Sequence, residues 1–228
     1  MPAHDSNSKM HEERMARFVD SGLYLVTSSN MSAGRTTLEI VEAALSAGVR
    51  LIQLREKNMP LKDLVPLAGK IRGMTAEAGA LLIINDRIDV AMAVGADGVH
   101  LGQDDFPIRH ARRLAPDMII GASSHSTGEA SEAELAGASY VNIGPLFPTN
   151  TKEWVREYLG IEGLEAISEV LSVPFTVMGG IKLNHIEALK RSGARVMAVV
   201  TAVTAANDPA TAAGELLKRI RAPLPINH

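Results

Sequence analysis

The chain has no cysteine among its 228 residues. That excludes disulfides and thiolate metal sites, and it is compatible with a reducing compartment. Neither charge sign is in excess: 23 Lys and Arg stand against 26 Asp and Glu, a formal net charge of −3, with no long run of one sign. Such a balance supplies neither a nucleic-acid footprint nor a basic membrane-binding surface. No stretch approaches the ~20 consecutive apolar residues of a membrane span. The N-terminal stretch MPAHDSNSKMHEERMARFVDSG has no apolar h-region, so no secretory signal is expected and a cytoplasmic location is. Residues 1–20 read as a polar N-terminal tail, loose over its first dozen residues because they show no periodicity. Residues 21–228 read as one domain. No P-loop and no Gly-x-Ser-x-Gly elbow occurs, and the seven histidines include no pair at metal-ligand spacing.

What is present is an ordinary globular composition, 46% hydrophobic and 21% charged, with a sustained alternation of two periods. Short apolar runs read as strands: LYLVTS (23–28), VRLIQLREK (49–57), ALLIINDR (80–87), DGVHLGQ (97–103), MIIGASSH (118–125), YVNIGPLF (140–147), PFTVMGGI (174–181) and RVMAVVTAV (195–203). Between them lie helical stripes such as Leu38, Val41, Ala44 and Leu45, then Leu61, Leu64, Ala68 and Ile71. The helix over 126–138 has Ser126 or Thr127 as N-cap and Glu129 as capping-box acid. Several helices end in Gly followed by Ala or Val, the expected cap. Eight strand–helix units of this length predict a (β/α)8 TIM barrel, of class α/β. A doubly wound open sheet is second choice, because LYLVTSSNMS lacks the glycine-rich fingerprint that fold wants after its first strand.

In such a barrel the chemistry gathers at the C-terminal strand ends, and here those ends are polar. The run ALLII delivers Asn85, Asp86 and Arg87 without an intervening turn residue. Asp86 and Asp105 end adjacent strands, ~4.8 Å apart, and two carboxylates that close call for a shared proton or a cation. Mg²⁺ is the natural hard cation. The plainer reading makes each aspartate the cap of the helix after it, and spacing alone does not separate Asp104 from Asp105. Gln53, Arg55 and Lys57 fall at alternate positions and so on one face of strand 2, which suggests a diphosphate clamp or, more plainly, a solvated strand end paired to Glu56. Lys152 follows the hydroxyl-rich loop Thr149-Asn150-Thr151. Gly179-Gly180 and Val200-Thr201 end strands 7 and 8, where barrels often bind phosphate. His100 reads as a satisfied barrel-interior histidine and His125 as a hydrogen-bonded rim residue. Trp154 and Tyr158 stand equally well as cover for a site or as packing.

The ordered set QLREK (53–57), INDRIDVAMAVGADGVHLGQDD (84–105), GASSH (121–125), GPLFPTNTK (144–152), VMGGI (177–181) and AVVTAV (198–203) resembles the thiamine-phosphate synthase family over roughly residues 22–220. The resemblance implies that a hydroxymethylpyrimidine diphosphate and a thiazole phosphate join to thiamine phosphate with release of diphosphate. It implies Mg²⁺ on Asp86 and Asp105, and a pyrimidine diphosphate held by Gln53, Leu54, Arg55, Glu56, Lys57, Asn85, Ser123 and Lys152. Arg55, Lys57, Ser123 and Lys152 would take the catalytic roles. Thr149, Asn150, Thr151, Gly180, Val200 and Thr201 would hold the thiazole phosphate. Both substrates are small molecules, and a homo-oligomer is compatible. The chain departs from the family pattern at Thr201, where Ser is usual, at Ser124, where Thr is commoner, and over Glu153–Tyr158, where Lys, Gly and Pro are common. The rival readings are a thiazole tautomerase on the same barrel, which typically lacks the full diphosphate–metal set, and a catalytically silent ligand-binding barrel.

Overall fold

The apolar runs form strands because each alternates between two buried faces. On one face Leu23, Leu25, Ile52, Leu54, Leu82, Ile84, Val99, Leu101, Val141 and Ile143 pack against helices. On the other Tyr24, Val26, Leu51, Leu81, Ile83, Ile119, Tyr140, Val196 and Ala198 pack against one another. A sheet buried on both faces reads as a continuous apolar run, and closing it on itself makes the second face a barrel interior. The computed structural model describes residues 3–149 and 158–224, with side chains from residue 9 onward. Its eight strands are all parallel and close in sequence order.

The elements are α1 (Ala3–Asp20), β1 (Leu23–Val26), α2 (Thr37–Ser46), β2 (Leu51–Leu54), α3 (Leu61–Glu77), β3 (Leu81–Asn85), α4 (Ile88–Val94), β4 (Gly98–Leu101), α5 (Ile108–Leu114), β5 (Ile119–Ser124), α6 (Thr127–Leu135), β6 (Tyr140–Ile143), α7 (Gly160–Ser168), β7 (Phe175–Met178), α8 (Ile186–Arg191), β8 (Val196–Val199), α9 (Thr201–Thr204) and α10 (Pro209–Arg221). The expected (β/α)8 TIM barrel is the observed fold. The strands are shorter than their apolar runs because the runs continue into the loops above the barrel. Ser126 caps α6, accepting from Glu129 N at 3.2 Å. Glu129 reaches back to His125 N at 2.7 Å, one residue further than a capping box would.

The expectation of a loose N-terminal tail is corrected. Ala3–Asp20 is helical, and α1 lies under the N-terminal ends of the strands. Phe18 is fully buried against the Tyr140 ring, centroids 4.4 Å apart, and edge-on to Tyr24 at 6.0 Å. Met15 and Val19 pack beside it. Arg14 reaches Asp97 at 3.5 Å and Asp117 at 3.2 Å. The apolar stripe is short because a helix that closes one end of a barrel needs to bury a single turn, so most of α1 stays polar and aperiodic. Among the described residues no helix is long and apolar enough to cross a membrane.

Candidate active site

A cavity of about 330 Å³ opens at the C-terminal ends of the strands, within the size range of small-molecule sites. The polar ends noted in the sequence converge there. Gln53 and Arg55 with Lys57, Asn85 with Asp86, Asp105, and Ser123 all line it. Thr149, Gly180, Val200 and Thr201 line it as well. Asn150, Thr151, Lys152 and Trp154 lie outside the described residues. Tyr158 is exposed and is not among the lining residues.

Two residues of the expected diphosphate segment are not brought to the cavity. Leu54 is buried in the layer between strands and helices. Glu56 turns away to tie the loops above β1 and α2 together, accepting from Thr37 Oγ1 at 2.8 Å, Ser29 Oγ at 2.6 Å and Thr27 Oγ1 at 3.3 Å. β2 ends at Leu54, so Arg55 and Lys57 do not share a strand face as expected. They leave the strand, yet still alternate toward the cavity while Glu56 points outward.

The acids are the decisive feature. Neither Asp86 nor Asp105 is a helix cap: the N-cap positions of α4 and α5 are Arg87 and Pro107, with no side-chain cap bond. Asp86 instead sits in the left-handed region at φ 62°, a conformation non-glycine residues adopt at a cost of order 1–3 kcal/mol. Its N–H donates to His100 O at 2.8 Å, and its carboxyl lies within hydrogen-bonding reach of Asp105. Burial, then the bond to Asp105 and its charge, push the Asp86 carboxyl up to about 6 against the pull of Lys57 and Arg55. Lys57 Nζ is 3.7 Å from Asp86 Oδ2. Asp105 is fixed by Gly102 N, which donates to its Oδ2 at 2.7 Å. A Cβ on Gly102 would stand 2.8 Å from that oxygen, so only glycine leaves the carboxylate its place. The structure thus separates Asp105 from Asp104, which also borders the cavity without this anchor.

The pair fits a divalent cation. Two carboxylates pressed together with a raised proton affinity are relieved by a hard cation as well as by a proton. Among the described residues no group of three His, Cys, Asp or Glu forms a fuller cage. A pair of carboxylates would leave most of the shell of a hard cation such as Mg²⁺ to water and substrate phosphate oxygens.

On the opposite wall Gly179 and Gly180, at φ 101° and 62°, bring the β7 loop against the β6 loop. A Cβ on Gly180 would meet Pro148 O at 2.4 Å. The glycine pair therefore serves close backbone approach, whatever else it holds. Sequence reasoning missed what lies beneath. Tyr24, His100, Asn142 and Met178 form the cavity floor with Gln53 and Ser123. Asn142 Oδ1 accepts from Thr176 Oγ1 at 2.8 Å. His100 shares hydrogen bonds with Tyr140 Oη at 2.9 Å and Ser123 Oγ at 3.0 Å, as expected for a satisfied interior histidine. His125 is held at the rim by Glu129, 3.0 Å away.

The family model described as thiamine monophosphate synthase matches residues 23–203. The chain belongs to that family. With it the chain is an enzyme of the transferase class, as its curated relatives are. The thiamine-phosphate synthase of Chloroflexus aurantiacus is 43% identical over 202 residues, covering 89% of this chain and 94% of the relative. That of Archaeoglobus fulgidus is 46% identical over 209 residues, covering 91% and 97%. Among solved structures, the thiamine phosphate pyrophosphorylase from Pyrococcus furiosus superposes with a TM-score of 0.82 at 38% identity, covering 90% of this chain and 97% of that one. A 3-hexulose-6-phosphate synthase, at 21% identity and a TM-score of 0.63, shares the barrel alone. The family match begins at β1, so α1 stands outside the matched segment, whereas the carboxylate pair and the floor residues lie within it.

Proposed function

We propose that this member of the thiamine monophosphate synthase family joins 4-amino-2-methyl-5-(diphosphooxymethyl)pyrimidine to 4-methyl-5-(2-phosphooxyethyl)thiazole, giving thiamine phosphate and diphosphate. We place that activity in the cytoplasm. The observation that carries the reading is the Asp86–Asp105 pair beside Arg55 and Lys57 at the mouth of a floor lined by Gln53 and Ser123. A thiazole tautomerase or a silent barrel has no need of that set.

Asp86 and Asp105 would hold Mg²⁺, which when bound supplies charge neutralisation for the departing diphosphate. Arg55 and Lys57 reach the same side of the cavity and stabilise the negative charge that accumulates there as the carbon–oxygen bond breaks. Gln53 and Ser123 orient the pyrimidine ring through its hydrogen-bonding edge, so that its methylene faces the second substrate. Thr149, Gly180, Val200 and Thr201 form the wall that receives the thiazole phosphate. Lys152, Asn150 and Thr151 join these sets by resemblance. The aminopyrimidine can spread positive charge from its methylene into the ring, so the substitution runs dissociatively. The thiazole nitrogen then attacks a carbon that is already electron-poor. The protein needs no general base, and its work is positioning and charge stabilisation.

Purified protein mixed with both substrates and Mg²⁺ should release diphosphate and form thiamine phosphate, resolved by chromatography. Chelation should stop the reaction and added Mg²⁺ restore it. No thiamine phosphate under those conditions would refute the assignment. Full turnover in the presence of chelator would refute the role given to the acids.

A further inference from the structure

Gln53 and Ser123 stand on β2 and β5, and both face the cavity. They are joined underneath it by a continuous chain of hydrogen bonds. Gln53 Nε2 donates to Tyr24 Oη at 2.6 Å. Tyr24 Oη is 3.0 Å from Tyr140 Oη. Tyr140 Oη is 2.9 Å from His100 Nδ1, and His100 Nε2 is 3.0 Å from Ser123 Oγ. Tyr24, Tyr140, His100 and Gln53 are all buried. The Tyr140 ring occupies the space a side chain at Gly121 would take, since a Cβ there would lie 2.2 Å from it.

Such a chain has a direction. Each phenol carries one proton, and burial raises both tyrosines, so both stay neutral phenols. Either phenol could donate across the Tyr24–Tyr140 contact, but with the Gln53 N–H already on Tyr24 the arrangement that leaves no phenol proton unpaired sends the Tyr24 proton to Tyr140. The Tyr140 proton goes to His100 Nδ1, which must be bare to accept it. A neutral imidazole then holds its proton on Nε2 and donates it to Ser123 Oγ. The serine's own proton is left for the cavity.

We infer that Tyr24, Tyr140 and His100 are positioning residues that transmit the orientation of the Gln53 amide to Ser123 and make its hydroxyl a hydrogen-bond donor to the ligand. The floor therefore reads a heterocycle that offers an acceptor, such as an unprotonated ring nitrogen, to Ser123. Gln53 keeps its Oε1 for a donor, such as an exocyclic amine. A chain running the other way would have Ser123 donate to His100 and show the ligand only lone pairs. This deepens the proposed function by naming how the pyrimidine edge is recognised. It rests on that reading for its kinetic consequence but not for the protonation pattern.

The test uses the full chain with ¹⁵N-labelled histidine imidazoles and no substrate. The His100 signals are identified by their loss in His100→Gln. The expected spectrum shows a protonated Nε2 and a bare Nδ1. A proton on Nδ1, or an imidazolium, at pH 8 overturns the inference whether or not the protein makes thiamine phosphate. Tyr140→Phe removes the donor to Nδ1 while keeping the ring, and should abolish the single-tautomer pattern. In the same variant kcat/KM for the pyrimidine diphosphate should fall about tenfold, the size of one lost buried hydrogen bond. The KM for the thiazole phosphate should not change. A variant that melts like the parent yet keeps both the tautomer and the kinetics would also overturn the inference. Absence of turnover in the parent protein would count against the proposed function alone, because the imidazole spectrum is read without substrate.

Discussion

The carboxyl of Asp86 lies within hydrogen-bonding reach of that of Asp105, although one ends a strand with left-handed backbone and the other hangs in the loop beyond the next strand. Two acids are held together here against their mutual repulsion, and the arrangement has consequences that can be measured without any substrate.

The first concerns pH. The Asp86 carboxyl is raised from an ordinary 3.8 to about 6. At this carboxyl the folded chain therefore binds a proton more tightly than the unfolded chain between those values, and its contribution to the stability of the cation-free protein falls as pH rises from 3.8 to about 6. Above that range this contribution is level. Asp105→Asn removes the opposing charge and supplies a donor, so the Asp86 carboxyl should titrate lower. It should stay above the ordinary value, because burial is the largest cause of the shift. Carboxyl ¹³C NMR in chelator reads this directly, and an unmoved titration would refute the coupling.

Backbone strain gives a second prediction. Asp86→Gly relieves the left-handed conformation and removes one of the two opposed acids. It should stabilise the chelated protein by about 1 kcal/mol at pH 7, measured by urea denaturation, while thiamine phosphate formation is lost. A destabilised variant would mean that Asp86 supports the fold and not the site alone.

Glu56 provides a contrast within a single short segment. Its four hydrogen bonds go to Thr27, Thr37 and Ser29, and none goes to the cavity. Glu56→Ala should cost about 1–3 kcal/mol of stability by leaving these donors unpaired. At a temperature where the variant is folded, its KM for the pyrimidine diphosphate should stay near that of the parent, whereas Arg55→Ala should raise it. Equal kinetic losses in the two variants would restore Glu56 to the binding set.

Gly102→Ala tests how Asp105 is anchored. The added methyl would stand against Asp105 Oδ2, so the carboxylate must shift. Activity at limiting Mg²⁺ should drop at least tenfold and recover in part at high Mg²⁺. A variant with the parent's Mg²⁺ dependence would show that this carboxylate tolerates displacement.

The barrel and its rim were legible because both follow from short-range pattern. Eight apolar runs with polar ends predict where the strands stop being covered, and adjacency in the barrel then brings Asp86 beside Asp105. The floor was not legible, because it depends on which residues meet across the interior. Nothing near Tyr140 in the sequence says that Gly121 on the neighbouring strand makes room for its ring, or that its hydroxyl lies between Tyr24 and His100. Glu56 was misplaced for a related reason. Its neighbours Arg55 and Lys57 face the cavity, and a motif read as a block does not say that its middle residue points the other way. Phe18 escaped notice because a plug buries one turn, and one turn of apolar residues is too little to register as a period.

That plug gives the chamber a sealed base. With Phe18 wedged beneath Tyr140 and Tyr24, the buried phenols and imidazole are covered from the bottom of the barrel. For the substitution proposed above, a helix on the far side of the molecule from the cavity mouth would shield an electron-poor carbon from water on the barrel's lower side.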